Sequence, residues 1–475
     1  MDEVRDLCVQ VFQAAVNAAQ PYHHVRNTLH LSDGCISVGT RIYNVNQNVH
    51  LAAFGKAALD MVHGAEDALD GHIIEGIASV PRNTLGRTKE INFRTKFLEG
   101  ATNNLPDEDA CNNARMIEEM AERLQTPNDI FLVLISGNNL GGGSALLSAP
   151  ASCISLDDKR KTINEMTSRG ANIKQLNTVR KALSRLKGGK LAQKAHPAKI
   201  VALIVADIVG DPLEFIASGP TVISASGKLD PIAVLRELNA WDVIPSAVQN
   251  ALHKYHEIKS DIDVHNTVIL NNVTALLGAS EVLKKNGYRC HLVSSVVTGD
   301  ADLYGCQLAQ VISSALAGKS FKQALESAKI ESANNAVPPG DKIALLFGGE
   351  CTVTIKGNGE GGRNQQIVLA TLSKLLEKFE IKHRKVEFGL MSAGTDGQDG
   401  PTDAAGAILT SDDMRYIYEM GSLWKKTVID SYLNNNNSYN FWKIFNNGKS
   451  HIICGPTGTN VMDIQVLLLI KKKEF

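Results

Sequence analysis

Short apolar runs alternate along the chain with stretches of helical period. Residues 48–54, 73–80, 130–135 and 200–206 read as strands, and 2–18, 56–69, 106–124, 156–168 and 173–187 as helices. Ser155 stands where a cap for the fourth helix belongs, and Gly170 and Gly188 where the last two stop. The second half restarts the alternation. It has strands at 267–271, 290–297, 343–348, 351–356, 386–392 and 464–470, and helices at 273–285, 301–317 and 364–379. Strands interleaved with helices indicate an α/β fold. The polar segment 318–341, with Pro338, Pro339 and Gly340, reads as a surface connection, the run Asn434–Asn437 as an exposed loop, and Lys471–Lys473 as a solvated tail. No internal repeat is visible.

The chain's 475 residues call for more than one domain. A hydrophobic share of 44% supplies a core, while 5% aromatics and 39 glycines suit a loop-rich α/β protein better than a β-sandwich. Forty-nine Lys and Arg balance 50 Asp and Glu, so no electrostatic footprint for nucleic acid exists. No apolar run reaches the ~18–20 residues that span a bilayer. MDEVRDLCVQ resembles neither a secretory nor a transit segment, and the eight scattered cysteines show no close pair. A cytoplasmic protein with reduced thiols is expected.

Candidate chemistry gathers in glycine-rich loops. AFGKAA (53–58), SGNNLGGGSALL (136–147), GNGEGGRNQQ (357–366) and AGTDGQDGPTDAAG (393–406) each follow an apolar run, and GPTGTN (455–460) precedes the last strand. In an open α/β sheet such loops meet at the carboxyl edge, where backbone N–H groups and helix N-termini receive anions. Lys56 and Arg363 each stand beside a helix start, against the macrodipole, which brings a functional role level with that of an exposed surface residue. GNGEGG also fits G-x-G-x-x-G, but the following strand ends in Met391 and Ser392, not in the acid that a dinucleotide site needs. Asp207 and Asp211 lie just past a buried strand, and Asp396, Asp399 and Asp403 in one loop. Phosphoryl transfer needs carboxylates for Mg²⁺ and for the acceptor hydroxyl. The alternative for an Asp beside Gly is a turn or a helix cap.

At these loops the chain resembles the class II glycerate kinases, whose C-terminal half is a MOFRL-type domain. The matching strings include AFGKAALDM, GGGSALLSAP, GANIKQLNTVRKALSRLKGGKLA, GDPLEFIASGPTV, GGECTVTIKGNGEGGRNQQIVLA, SAGTDGQDGPTDAAGA and GPTGTNVMDIQVLLL. The resemblance implies a Rossmann-like N-terminal αβα domain over 1–260, a second α/β domain over 261–475, and an active site in the cleft between them. It implies transfer of a phosphoryl group from ATP, with Mg²⁺, to D-glycerate. Lys56 falls on the family's GKA motif and Arg363 on GGRN, both regarded there as catalytic; Asp207 or Asp211 falls on its aspartate, as catalytic group and metal ligand. Gly55, Ser136, Gly141, Gly142, Gly143, Ser144, Asn177, Arg180, Lys187, Gly188, Gly361, Gly362, Asn364 and Asp396 complete the substrate and nucleotide contacts. Small-molecule partners follow, with neither nucleic acid nor membrane; homo-oligomerisation is left open. Two departures stand out: SGNNLGGGSALL is four residues longer than the family's SGGGSALL, and the family's serine before the first aspartate is Ala206. The alternatives are a catalytically impaired homologue that binds nucleotide or sugar acid, and an NAD(P)-dependent reductase using GNGEGG.

Overall fold

The computed structural model describes residues 3–87, 92–101, 105–137, 142–223, 229–255, 262–331, 340–377, 386–421 and 423–471. The chain forms two compact units, one of Gln20–Leu270 and one of Met1–Ala19 with Asn271–Phe475. The sequence division at 260/261 therefore differs at two places. The first helix packs with the second unit, and the strand after residue 261 pairs in the first.

The first unit opens with an antiparallel meander of β1 (His30–Ser32), β2 (Cys35–Val38) and β3 (Arg41–Asn44). Its main sheet holds β4 (Val49–Phe54), β5 (Ile73–Pro81), β6 (Thr95–Gly100), β7 (Ile130–Gly137), β8 (Lys199–Ala206) and β9 (Val264–Leu270). The order is β6-β5-β4-β7-β8-β9 and every pairing is parallel. Counted within the sheet this is 3-2-1-4-5-6, the Rossmann order. Every residue of β7 is buried, as a central parallel strand covered on both faces requires. Helices Ala58–Leu69 and Glu108–Glu122 supply crossovers. A satellite of helices, Leu156–Ser168, Ile173–Ala182, Pro231–Glu237 and Ser246–His253, packs around Met166, Val179, Leu183 and Leu235.

Ser155 does cap its helix. Its hydroxyl accepts the Asp158 N–H at 3.0 Å while the Asp158 carboxylate accepts the Ser155 N–H at 3.0 Å, a reciprocal box. The next helix stops at Ala182, short of the expected 187. There the chain turns to pair with 149–151, through Ala151 N–H to Leu183 O (3.2 Å) and Arg185 N–H to Ala149 O (2.9 Å). That detour carries Lys187 inward.

The second unit has a mixed sheet of β10 (Arg289–Val297), β11 (Lys342–Gly349), β12 (Val386–Gly394), β13 (Gly406–Thr410), β14 (His451–Ile452) and β15 (Asp463–Lys471), ordered β10-β11-β15-β12-β13-β14. Only β10 and β11 run parallel. The run 351–356 is not a strand: Thr352 makes an isolated bridge with Asp300, and Ile355 is exposed. The connection 318–341 contains the helix Phe321–Ser327, and 332–339 lie outside the described residues. The run Asn434–Asn437 is not simply exposed either, since Asn436 is buried. Among the described residues no helix is long and apolar enough to cross a membrane.

Candidate active site

In the first unit, β4, β7 and β8 lie side by side and end at one edge, with Phe54 level with Ile135 and Gly137 level with Ala206. The chain leaves β4 toward one side of the sheet and β7 toward the other, so a crevice opens between their carboxyl ends. Gly55 has φ of +124°, and a Cβ there would overlap the Ser136 carbonyl oxygen. A Cβ on Gly143 would crowd the same oxygen, and the Ala57 N–H donates to Ser136 Oγ at 3.2 Å. Glycine is thus required where these loops interlock. Lys56 is exposed at this edge, two residues before the helix that begins at Ala58. Asp207, buried, follows β8 directly, and Asp211 has a left-handed φ of +51° after Gly210. Gly142 opens the short helix Gly142–Leu146, while Gly141 lies outside the described residues.

Behind that short helix is a pocket of about 350 Å³ whose lining includes Ser144, Ser148, Lys159, Arg160, Arg180 and Lys187. Among the described residues no carboxylate lines it. Lys187 is fully buried, and its Nζ donates to Ser144 O (2.9 Å), Ser144 Oγ (3.0 Å) and Ala217 O (3.3 Å). Burial, with Lys159 and Arg180 nearby, holds its amine well below the usual lysine range. Burial also brings Lys159 down to about 8 and lowers Arg180. Ser218 Oγ lies 3.3 Å from Ser144 Oγ and donates to Asn177 Oδ1 at 3.0 Å, so Asn177, Ser144 and Lys187 form one polar cluster. Gly188 plays a different part. Its N–H and that of Gly189 donate to Ser218 O (3.0 Å) and Gly219 O (2.8 Å), fixing the turn. Lys159 and Arg160 escaped the sequence reading. The available signal was a lysine on the buried stripe of its helix, which Lys159 shares with Thr162 and Met166.

In the second unit Arg363 opens the helix Arg363–Leu375. Its Nε and Nη2 donate to the fully buried Asp463 carboxylate at 2.5 and 2.9 Å, and Nη1 lies 2.9 Å from Glu350. Those carboxylates raise its pKa against the lowering effect of burial. Asp399 occupies the helix N-terminus that a phosphate would otherwise use. Its carboxylate accepts the N–H groups of Asn364 (3.0 Å) and Gln365 (2.9 Å) and both side-chain amides (3.2 and 3.0 Å). Burial nevertheless lifts it to about 6.

A Cβ on Gly362 would overlap Asp399, and one on Gly361 would overlap Ser438 Oγ, so close packing accounts for both glycines. Four of the six amides of GNGEGG are engaged as well. Gly357 and Asn358 donate to Asn436 Oδ1 (3.1 Å) and Asn435 Oδ1 (3.2 Å), Gly359 to Asn435 O (2.8 Å), and Glu360 to Asn437 Oδ1 (3.1 Å). Asp396 serves its own turn, accepting the Gln398 N–H at 3.1 Å. Among the described residues no group of three His, Cys, Asp or Glu could hold a metal ion.

Two families match the chain: one described as a domain of unknown function (DUF4147) over residues 7–253, and the MOFRL family over 343–463. A glycerate kinase of Danio rerio is 40% identical over 97% of this chain and 96% of its own. A glycerate 2-kinase of Pyrococcus horikoshii is 32% identical over 99% of this chain and 98% of its own. The crystal structure of a glycerate kinase from Thermotoga maritima superposes with a TM-score of 0.78 at 30% identity, covering 99% of this chain and all of that one.

Proposed function

The chain belongs to the glycerate kinase family, and we propose that it transfers the γ-phosphoryl group of ATP to D-glycerate, giving phosphoglycerate and ADP. One observation carries this reading beyond kinship. At the crevice of a Rossmann-ordered sheet, Gly55 and Gly143 close on Ser136 and leave Lys56 exposed at the edge. Backbone that approaches so closely, beside one ammonium, suits a polyphosphate. Lys56 offsets charge on the transferring phosphoryl oxygens. Asp207 and Asp211 offer the hard oxygen donors that Mg²⁺ takes from a protein, one or two carboxylates with the remainder from phosphate and water. When bound, Mg²⁺ neutralises phosphate charge. Asp207, buried at the strand end, also orients the acceptor hydroxyl and receives its proton. Within the second unit, Arg363 offers a guanidinium held rigid by Asp463, with 30% of its side chain accessible, and such a fork suits a phosphoryl oxygen or a carboxylate. The eight cysteines, none in a disulfide, support a cytoplasmic setting.

The test is ADP release from ATP, Mg²⁺ and D-glycerate, with the product identified by phosphorus NMR. Phosphoglycerate should form, and the spectrum assigns the 2- or 3-position. Absence of turnover with nucleotide binding retained would favour the impaired homologue. The reductase alternative loses support, because four of the six GNGEGG amides already have protein partners.

A further inference from the structure

We propose that Asp399 is a positioning residue for Arg363: its carboxylate fixes the first turn of the helix from which that guanidinium projects, and turnover depends on this clamp being intact. The part Arg363 plays in turnover rests on the kinase reading. The carboxylate is 1% exposed, and each of its oxygens receives two N–H groups. Oδ1 accepts the backbone and side-chain amides of Asn364, and Oδ2 accepts those of Gln365. These are the two residues that follow Arg363. Both are fully buried, and both tie the helix start to the body of the unit. Ser392 Oγ, on β12, donates to Asn364 Oδ1 at 2.6 Å. Gln365 Nε2 also donates to Thr402 Oγ1 (3.1 Å), and the Gln365 carbonyl accepts the Trp442 Nε1–H (3.0 Å). Its Oε1 lies 3.0 Å from His451 Nε2. An amide oxygen only accepts, so that ring nitrogen carries the proton.

Capping alone does not explain the arrangement. An ordinary capping side chain belongs to the N-cap residue and serves one or two N–H groups. Here the N-cap residue is Gly362, and the acceptor comes from a loop 35 residues further along the chain. The approach is close enough that a Cβ on Gly400 would overlap the Gly361 carbonyl oxygen. A neutral acceptor would satisfy the same donors without the cost of burying a charge. What the carboxylate adds is two pairs of charge-assisted bonds, which leave the first turn one position to occupy. Arg363 needs that restraint at both ends. Asp463 and Glu350 hold its guanidinium, and Asp399 holds the backbone from which the side chain leaves. A displacement of ~1 Å is enough to lose a productive contact.

The clamp also has a built-in weakness. All four lone-pair directions of the carboxylate face N–H donors, so a proton on either oxygen meets a donor and breaks a bond. The charged and titratable groups around Asp399 are Arg363 on the helix it clamps and Asp463 on β15. Beyond Gln365 stands His451 on β14, with Tyr439 and Lys443 from helix Ser438–Ile444 and Asp403 from the loop of Asp399 itself around the imidazole. Asp396 shares that loop. Burial holds His451 down to about 4, so it stays neutral where Asp399, lifted to about 6, takes up its proton. The carboxyl is ionised at pH 8 and about 90% protonated at pH 5, and the clamp weakens as pH falls between them.

The test joins kinetics to hydrogen exchange. Asp399→Asn keeps the shape and imitates the protonated state. It should lower kcat at least ~10-fold at pH 8 and leave KM for ATP within about two-fold. Its further loss of kcat from pH 8 to pH 5 should be at least ~5-fold smaller than that of the unmodified chain. Arg363→Gln supplies the second arm. A residue that acts through Arg363 has little left to do once Arg363 is gone, so adding Asp399→Asn to Arg363→Gln should cost less than ~3-fold. The unmodified chain gives a readout that needs no variant to fold. Protection of the Asn364–Gln366 backbone N–H groups, corrected for intrinsic exchange, should fall at least ~10-fold from pH 7 to pH 5, with β4 and β7 unaffected. A normal kcat in folded Asp399→Asn, additive losses in the double variant, or unchanged protection would each overturn the proposal. Turnover that is indifferent to Asp399 removes the proposal alone; no phosphoglycerate from the unmodified chain at either pH removes the kinase reading and the proposal with it.

Discussion

A lysine inside a folded chain without a counter-ion lowers that chain's stability, and Lys159 shows how much. Its amine is held near 8 in the folded state against 10.5 in a free chain. The unfolded state therefore binds more protons between pH 8 and 10.5. Stability from this group rises across that window and is lowest below it. Lys159→Met keeps the length of the side chain and removes the charge, so it should stabilise the protein by about 1–3 kcal/mol at pH 7, with the gain vanishing toward pH 10.5. Thermal melts at both pH values check this. Lys56 should behave in the opposite way. It is exposed and lies outside the helix, so Lys56→Ala should leave the melting temperature close to wild type while lowering kcat at least ~100-fold, as for loss of one transition-state donor. Turnover near wild type would remove Lys56 from the chemistry.

At the scale of elements, the same residue types serve two ends. Glycine at Gly55 and Gly143 lets two loops interlock at a sheet crevice, while glycine at Gly361 and Gly362 lets Asp399 and Ser438 approach a helix start. A carboxylate already in place at that helix N-terminus answers the macrodipole from within. The Asn435–Asn437 run does comparable work on the loop before it. Asn436→Ala removes the acceptor for Lys356 N–H (2.5 Å) and Gly357 N–H (3.1 Å). Hydrogen exchange at Lys356–Glu360 should accelerate by at least ~10-fold, with β4–β9 unaffected, as for local opening. None of this pairing was legible beforehand, because the partners are about 80 residues apart and neither stretch has a period. The buried strands were legible to within two or three residues, since continuous apolar runs leave little choice. Segments such as β6, reading TKFLEG with half-buried positions, and the meander from His30 to Asn44 gave no such signal. Lys56, Gly143 and Asp207 were singled out because they follow buried apolar runs, and Ser136 because it stands at the end of one. Lys159 was missed because it sits on a helix that looks like packing.

At the scale of the whole molecule, the chain's first helix belongs with its last two hundred residues. Glu3–Ala18 buries Leu7, Cys8, Val11, Phe12 and Ala15, and it crosses helix Asn272–Lys285 where a Cβ on Gly278 would overlap that of Ala18. Amphipathic periodicity foretold the helix; no periodicity specifies which distant surface receives it. Beside that apolar packing stands one buried ion pair. Arg5 Nη2 meets both oxygens of Asp413 at 2.7 Å, and Nη1 donates to Ser450 Oγ at 3.1 Å. Asp413 has no exposed side-chain surface and also closes the capping box at Thr410 (2.8 Å). Arg5→Ala would leave that carboxylate buried with its cation gone, which should cost roughly 3–5 kcal/mol. The loss should be confined to one unit: protection from exchange should fall in β12, β13 and Ser411–Met420 and persist in β4, β7 and β8. Arg5→Ala paired with Asp413→Ala should recover part of the loss, because the unpaired charge is then absent. Uniform destabilisation of both units by Arg5→Ala would mean that this helix holds the whole chain together rather than completing the unit to which its contacts assign it.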